Sequence, residues 1–382
     1  MGAREQLLKL ADLVAARPLG ALLGAVWPRR PAAPPSAPPR RVLVIRPGGI
    51  GDAVLVAPML AALRAAWPAA SITLLLERRN AGVLDGAGLA DETLLYDRPL
   101  AGLLRAVRGR FDLVVDTEQY HAASALVAYL GGAPRRIGFG TNARRRLLTT
   151  AVPYSQETYE ARSFLDLARA ATGAEPAWDP EAPFFPLRDE ERAFAARTLA
   201  PLGDRPLVVV HPGASIPERR WPAERYGFVA AGLADDGAAI AIVGGKGDRA
   251  AGRTIAAALG GRPHVDLCGA TTLREAAAVI ARAAVYVSAD TGLLHLAYAL
   301  GVPAVHLFGP GVLAKWGPPG KRYVSVREPT PCSPCTTYGY TPPCCQGMAC
   351  MLGIAPERVL AAARARLAAG KDGAAADEGG AA

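Results

Sequence analysis

The stretch RVLVIRPGGIGDAVLVAP, from Arg41 to Pro58, sets the expected fold. It begins as a short β-branched apolar run, turns at Gly48, Gly49 and Gly51, and continues as a helical pattern. A strand, a glycine turn and a helix in this order begin a βαβ unit of a parallel sheet. The glycines are followed directly by Asp52 and do not match the G-x-G-x-x-G spacing of dinucleotide loops. The stretch therefore predicts an α/β domain and leaves open whether the loop binds a phosphate or positions Asp52.

Similar strand-like runs alternate with helical patterns along most of the chain, which predicts two doubly wound parallel-sheet domains. The predicted organisation is an N-terminal helix and proline-rich linker (1–40), a first Rossmann-like domain (41–185), an interdomain linker (186–206), a second Rossmann-like domain (207–354), a C-terminal helix (355–370) and a disordered tail (371–382). Ligands of such sheets bind beyond the carboxyl ends of the strands, so a cleft between the domains is the expected site.

Composition narrows the classes of function. Of 382 residues, 51% are hydrophobic and 20% charged, which excludes a wholly disordered chain, and the net charge of +9 favours phosphate-bearing partners. No uncharged apolar run is long enough to span a membrane, and Arg17 and Pro18 interrupt the first apolar stretch, which argues against a secretory signal. A cytoplasmic location follows, with the N-terminal helix either packing on the protein or lying on the inner membrane surface.

The second half contains three loops that suit an anion. The first loop follows the strand that ends at His211, and it contains Gly213, Arg219 and Arg220. The guanidinium groups of the two arginines can donate hydrogen bonds to phosphate oxygens. The second loop follows the run VYVS and contains Asp290, Thr291, Gly292 and His295. Backbone N–H groups at such a helix start attract an anion.

The third loop, VGGKGD, ends at Asp248, an acid that can accept hydrogen bonds from ribose hydroxyls. Each of these features also has a structural interpretation. Asp290 and Asp248 can be helix caps, His295 a packed core histidine, and the arginine pair a solvated surface.

Taken together, GGIGDAVLVAPML, HPGAS with RRWPAERY, VGGKGD, CGATTLREAAAVI and SADTGLLHLAYALGVPAVHLFGP resemble glycosyltransferase family 9, the heptosyltransferases of lipopolysaccharide biosynthesis. The resemblance extends from about Arg41 to Leu367. It implies a GT-B fold and inverting, metal-independent sugar transfer from a nucleotide sugar, most simply ADP-heptose, to a lipopolysaccharide-core acceptor. The alternatives are a family member that uses another nucleotide sugar or acceptor, and a nucleotide-sugar epimerase of the same fold.

The resemblance also implies roles for single residues. Asp52 matches the catalytic aspartate of the family's first glycine loop, and Arg219 stands where the family usually has a lysine against the diphosphate. Thr291 and Gly292 match the diphosphate-binding helix start, Asp290 a contact of the donor sugar, and Asp248 the acid at the nucleotide ribose. After LFGP this chain continues GVLAK instead of the family's usual Thr-Asp-Pro, which puts the identity of the donor in doubt.

Two further clusters stand out. Five arginines within twelve residues suggest a surface for a phosphorylated or acidic glycolipid: Arg135, Arg136, Arg144, Arg145 and Arg146. A plain solvated basic surface is the alternative, and no helix or aromatic platform for nucleic acid is evident.

Five of the six cysteines also cluster: Cys332, Cys335, Cys344, Cys345 and Cys350. Their spacing is compatible with a structural zinc, a disulfide or reduced thiols.

Overall fold

The computed structural model describes residues 12–26, 37–97 and 100–378, and it divides the chain into two compact units between Asp179 and Pro180. Within these residues, no helix is both long enough and apolar enough to cross a bilayer.

The first unit is built on six parallel strands: β1 (Arg41–Ile45), β2 (Ser71–Leu76), β3 (Glu92–Leu95), β4 (Leu113–Asp116), β5 (Arg135–Phe139) and β6 (Thr150–Val152). Its helices are α1 (Arg17–Val26), α2 (Ile50–Leu55), α3 (Ala57–Ala66), α4 (Arg78–Leu84), α5 (Leu100–Arg108), α6 (Ala122–Leu130) and α7 (Glu160–Thr172). β1 and β4 pair directly, and β4 is buried along its whole length. Burial on both faces explains why these strands are almost entirely apolar.

The second unit repeats the plan with β7 (Leu207–His211), β8 (Ala239–Ile242), β9 (His264–Asp266), β10 (Val285–Ala289), β11 (Ala304–Phe308) and β12 (Tyr323–Arg327). Its helices are α8 (Asp189–Leu199), α9 (Ala223–Asp235), α10 (Arg249–Leu259), α11 (Leu273–Ile280), α12 (Gly292–Ala299), α13 (Leu313–Trp316), α14 (Ala349–Leu352) and α15 (Pro356–Glu378). α15 packs on α9, and its Val359 and Leu360 enter the core of this unit.

Both sheets have the same strand order. It is β3-β2-β1-β4-β5-β6 in the first unit and β12-β11-β10-β7-β8-β9 in the second. In each case the direction of winding reverses between two central strands, β1 and β4 or β7 and β10. Crossovers leave this point in opposite directions, so a crevice opens there at the carboxyl ends of the strands. The predicted fold of two doubly wound parallel sheets is confirmed.

The predicted boundaries need correction in two places. The segment 186–206 was predicted to be an interdomain linker with one helix. That helix is α8, but it belongs to the second unit, because its Glu191 forms a buried ion pair with Arg274 of α11. The C-terminal helix was expected to end at residue 370, but α15 continues to Glu378 through an alanine-rich stretch that favours helix. Of the predicted disordered tail, residues 379–382 lie outside the described residues.

The N-terminal segment is helical where it is described. A wide helical turn at Asp12–Ala16 leads into α1, and this part of the predicted helix packs on the first unit. Residues 1–11 and 27–36, which include most of the predicted proline-rich linker, lie outside the described residues.

Candidate functional site

The glycine loop of the first unit follows β1 at the reversal point of the sheet. Gly48 has φ +109°, a conformation that L side chains rarely adopt, and a Cβ there would lie 2.9 Å from Arg46 Nη2. Gly49 precedes α2, and its N–H donates to Asp52 Oδ2 at 3.0 Å. Asp52, in the first turn of α2, therefore closes the start of this helix through one carboxylate oxygen.

The other carboxylate oxygen of Asp52 faces Arg46, a residue that the sequence motifs do not mark. Asp52 Oδ1 lies 3.8 Å from Arg46 Nη2, and the Asp52 side chain keeps 19% of its surface exposed. Only 2% of the Arg46 side chain is exposed, and its Nη1 donates to the Thr117 carbonyl at 3.0 Å. The Arg46 guanidinium is thus held by the Thr117 carbonyl, while the Asp52 carboxylate on its other side reaches solvent.

Glu118, in the loop after β4, is the second acid beside Arg46. Its Oε2 lies 3.9 Å from Arg46 Nη2, and its Oε1 accepts from the N–H groups of Tyr120 and His121. Burial raises the pKa of the Glu118 carboxyl, but the charge of Arg46 and these contacts outweigh burial, and the net pKa is lowered. Glu118 therefore stays ionised, and the buried Arg46 lies between two carboxylates.

Neither Arg46 nor Glu118 carries a strong sequence signal. Each is a charged residue just after an apolar strand, in RVLVIR and in VVDTE, where an exposed position is the ordinary expectation. The pairing of β1 with β4 buries both residues.

The five arginines of the predicted acceptor surface separate into two groups. Arg136 and Arg144 are buried and have internal partners: Arg136 Nε donates to the Leu147 carbonyl, and Arg144 forms an ion pair with buried Asp116. Since neither can reach a glycan without leaving its partners, both are corrected to structural residues. Arg135 is half-buried and donates to the Ala171 carbonyl.

Arg145 and Arg146 remain exposed on the short helical turn Ala143–Leu147. Within β5, successive side chains point to opposite faces of the sheet, so Arg135 and Arg136 do not share a surface.

In the second unit, the loops after β7 and β8 meet at Asp248. A Cβ on Gly213 would lie 2.4 Å from Asp248 Oδ1, so only glycine fits this close approach. Asp248 Oδ2 accepts from the Gly245 N–H at 2.8 Å and closes its own turn. Burial lowers the pKa of nearby His211, and the neutral ring donates through Nδ1 to the Val243 carbonyl at 2.9 Å. The predicted Gly213 and Asp248 thus lie together.

The loops after β7 and β10 meet at a buried ion pair. Arg219 Nη1 lies 2.9 Å from Asp290 Oδ2, and the two side chains are 14% and 3% exposed. Asp290 immediately precedes Thr291, the residue before the first turn of α12, and Gly292 begins that helix. Buried Arg219 Nε and Thr291 Oγ1 have no hydrogen-bond partner in the described part of the chain. Buried polar atoms of this kind require an explanation, and a bound polar ligand supplies one.

His295 and the segment after β11 border the same loops. His295 is buried, and its ring meets that of Trp316 edge-on at 6.0 Å. Lys315, in the GVLAK segment that departs from the family, is fully buried, although no sequence motif marks it. A Cβ on Gly311 would lie 2.6 Å from Asp290 Oδ2, so this segment approaches the ion pair closely.

Arg220 points elsewhere. Its side chain is exposed, and its Nε donates to the Ala214 carbonyl at 2.9 Å, so it closes the loop in front of α9. The two adjacent arginines therefore occupy different environments.

All six cysteines are free thiols in the structure. Cys332, Cys344 and Cys345 are exposed, Cys335 is half-buried and Cys350 is buried. Among residues 12–26, 37–97 and 100–378, no three His, Cys, Asp or Glu side chains are placed to hold a metal ion. The Cys344 sulfur instead accepts from the backbone N–H of Met348 at 3.1 Å.

Comparisons of the chain with a family model and with known proteins agree on one family. The model described as glycosyltransferase family 9 (heptosyltransferase) matches residues 100–344. Lipopolysaccharide heptosyltransferase 2 of Escherichia coli is 27% identical over 288 residues, which cover 71% of this chain and 83% of that protein.

Solved structures give the same result. The structure of E. coli ADP-heptose LPS heptosyltransferase II has a TM-score of 0.69 and 25% identity, covering 87% of this chain and 99% of that one. An E. coli heptosyltransferase solved with ADP shares the fold, with a TM-score of 0.60, 20% identity, and 76% and 91% coverage.

Replacing Arg46 by methionine tests the buried charges. Without the guanidinium, the largest of the influences that oppose the burial of Glu118 is lost, so we expect the pKa of this carboxyl to rise. The pKa of Glu118 is lower in the folded protein than in the unfolded chain, so its ionised form stabilises the fold above pH 4.5. This contribution is lost as the pH falls through the folded-state pKa. In Arg46→Met this contribution becomes smaller, so the variant loses less of its stability than wild type does as the pH falls. The expected loss at neutral pH is about 3–5 kcal/mol.

Urea denaturation between acidic and neutral pH measures this effect, with Arg46→Lys as the control that keeps a positive charge. Parallel pH profiles for wild type and Arg46→Met would contradict the assignment.

Proposed function

Because the chain belongs to glycosyltransferase family 9, the heptosyltransferase family, we propose that it transfers heptose from ADP-heptose to a lipopolysaccharide-core acceptor. It is a glycosyltransferase of lipopolysaccharide biosynthesis. We further propose that the donor is ADP-heptose, and that transfer inverts the anomeric configuration and needs no metal ion. The proposed location is the cytoplasm, where nucleotide sugars are available.

The observation that carries the proposal is the group of polar atoms at the start of α12. Arg219 Nε and Thr291 Oγ1 are buried without hydrogen-bond partners among the described residues, beside a helix N-terminus whose first N–H groups lack partners within the helix. A diphosphate supplies acceptors for all of them, and the helix dipole favours its negative charge. We assign the diphosphate of the donor to Arg219, Thr291 and Gly292.

The remaining donor contacts follow from the neighbouring loops. Asp248, packed against Gly213, is proposed to accept from the ribose hydroxyls of the nucleotide. Asp290 is proposed to contact the sugar, and its ion pair with Arg219 holds both side chains in place before the donor binds. His295 is proposed to support the diphosphate from the first turn of α12. The choice of ADP-heptose is supported by the similar E. coli enzyme of known structure, which is an ADP-heptose LPS heptosyltransferase.

Asp52 is proposed to be the catalytic base. In an inverting transfer, an acceptor hydroxyl attacks the anomeric carbon, its proton passes to a carboxylate, and nucleoside diphosphate leaves. The Gly49 N–H and the Arg46 guanidinium hold the Asp52 carboxylate in one orientation while leaving it partly exposed. Gly48, Gly49 and Gly51 keep the surface beside the carboxylate free of side chains. Charge building on the leaving diphosphate is met by Arg219 and the N-terminus of α12.

The acceptor is proposed to be a phosphorylated or acidic glycolipid that contacts the exposed guanidinium groups of Arg145 and Arg146, with Arg135 in a minor role. A bidentate guanidinium suits phosphate geometry, and the side chains of Arg145 and Arg146 are unburied.

Asp52→Asn tests the base. Asparagine keeps an oxygen for the Gly49 N–H but cannot take a proton, so we expect unchanged binding of the nucleotide sugar and a transfer rate lower by about 10²–10⁴-fold. Donor affinity by calorimetry and single-turnover transfer measure the two effects. Asp85→Asn, at an exposed aspartate of the same unit, is the matched control. Transfer by Asp52→Asn at the wild-type rate would refute the assignment.

Arg219→Ala tests the diphosphate site, and Arg220→Ala is its neighbour control. Loss of the buried guanidinium leaves Asp290 unpaired and removes a charged contact to phosphate, so ADP affinity should fall at least about tenfold. Arg220 is exposed and bonded to a backbone carbonyl, so its removal should have a much smaller effect. Equal losses in the two variants, measured by calorimetry with ADP, would count against the site.

A further inference from the structure

The exposed face of α1 is entirely apolar among its described side chains. Pro18, Leu19, Leu22, Ala25 and Val26 are all exposed, with Leu22 and Val26 each at 60%. Their spacing of i, i+1, i+4, i+7 and i+8 puts them on one side of the helix. Val14, in the turn before α1, is 66% exposed. A soluble surface helix normally presents charged or polar groups to water on this side.

The opposite face fixes α1 firmly to the first unit. A Cβ on Gly24 would lie 2.6 Å from Arg146 Cβ, and one on Gly20 would lie 3.0 Å from Leu147 Cδ1. Leu23 packs against a cluster that includes Leu147 and Leu148. The helix is therefore packed through its small residues and Leu23, and its larger apolar residues are left outside.

The segment before α1 is tied to the loop after β4, which holds Glu118. Asp12 Oδ1 accepts from the Ala123 N–H at 2.8 Å, and Asp12 Oδ2 lies 3.1 Å from His121 Nδ1. The Arg17 guanidinium lies 4.4 Å from the centre of the Tyr120 ring. Tyr120 and His121 are the residues whose N–H groups hold Glu118 beside Arg46. The position of α1 and the position of this loop are thus coupled.

The flank of α1 is basic. Arg145 and Arg146, on the turn against which the helix packs, are exposed. An apolar face beside basic groups matches an anionic lipid surface, where acyl chains take the apolar residues and headgroups take the arginines.

We propose that α1 is a membrane-docking helix, which lies in the headgroup region of an anionic bilayer with Leu19, Leu22 and Val26 inserted. A second copy of the chain fits less well, because symmetric pairing through α1 places the basic flanks of both copies close together. Docking brings the loop of Glu118, Tyr120 and His121 to the lipid side of the molecule. It deepens the proposed function, and rests on it, only in giving the place where a glycolipid acceptor is met; lipid binding itself, through α1 and its basic flank, is independent of that function.

The test is vesicle flotation of the full chain with phosphatidylcholine vesicles that contain or lack phosphatidylglycerol. Wild type should bind the anionic vesicles more strongly than the neutral ones, and Leu19→Glu with Leu22→Glu should lower binding at least tenfold. Arg145→Gln with Arg146→Gln should reduce binding to the anionic vesicles and weaken its salt dependence. Leu104→Glu with Phe228→Glu changes two exposed apolar residues elsewhere and should leave binding unchanged.

Three results would overturn the inference: no binding by wild type, equal binding by the Leu19/Leu22 variant, or a wild-type dimer that this variant dissociates without any vesicle binding. Circular dichroism confirms that each variant is folded. Transfer to a soluble, deacylated acceptor should be unchanged in the Leu19/Leu22 variant. A failure of lipid docking is thereby distinguished from a failure of the proposed transfer, which would appear as no transfer by wild type.

Discussion

The reversal of winding direction in each parallel sheet is the constraint on which the other features depend. Crossovers leave β1 and β4, and likewise β7 and β10, towards opposite sides, so the loops after these strands are the ones that can surround a ligand. The first unit places Arg46, Asp52 and Glu118 at this point, and the second places Arg219, Asp290 and Thr291 there. One topology thus produces a centre with two carboxylates in one unit and, in the other, the centre that is proposed to bind an anion.

Charge burial determines what each centre can do. In the first unit, a guanidinium that is 2% exposed lies beside two carboxylates, and only Asp52 of these two reaches solvent appreciably. In the second, the ion pair of Arg219 and Asp290 leaves Arg219 Nε without a partner among the described residues. A buried charge without its partner costs several kcal/mol, so these arrangements are rigid before any substrate binds. Rigid, pre-oriented groups suit the stabilisation of charge in a transition state.

Much of this organisation could be predicted from the sequence, because local patterns determine it. The strand–glycine–helix pattern around Asp52 and the strand–helix junction at Thr291 both lie within about twenty residues, and the fold and family they predicted are confirmed. Arg46 and Glu118 escaped prediction because their burial depends on β1 pairing with β4, some 70 residues away. Arg136 and Arg144 were misassigned for the same reason, since only the tertiary structure shows that they face Leu147 and Asp116. The catalytic and binding roles of the individual residues remain proposals.

The proposed docking of α1 would connect a lipid surface with the first unit's carboxylates, because the segment before α1 contacts the loop that holds Glu118. Transfer of heptose can be measured from a mass spectrum of the acceptor. After incubation of wild-type enzyme with ADP-heptose and a deacylated lipid A–Kdo acceptor, we expect an acceptor that is heavier by one heptose residue and the release of ADP. An acceptor of unchanged mass, with the nucleotide sugar converted only to an isomer, would contradict it.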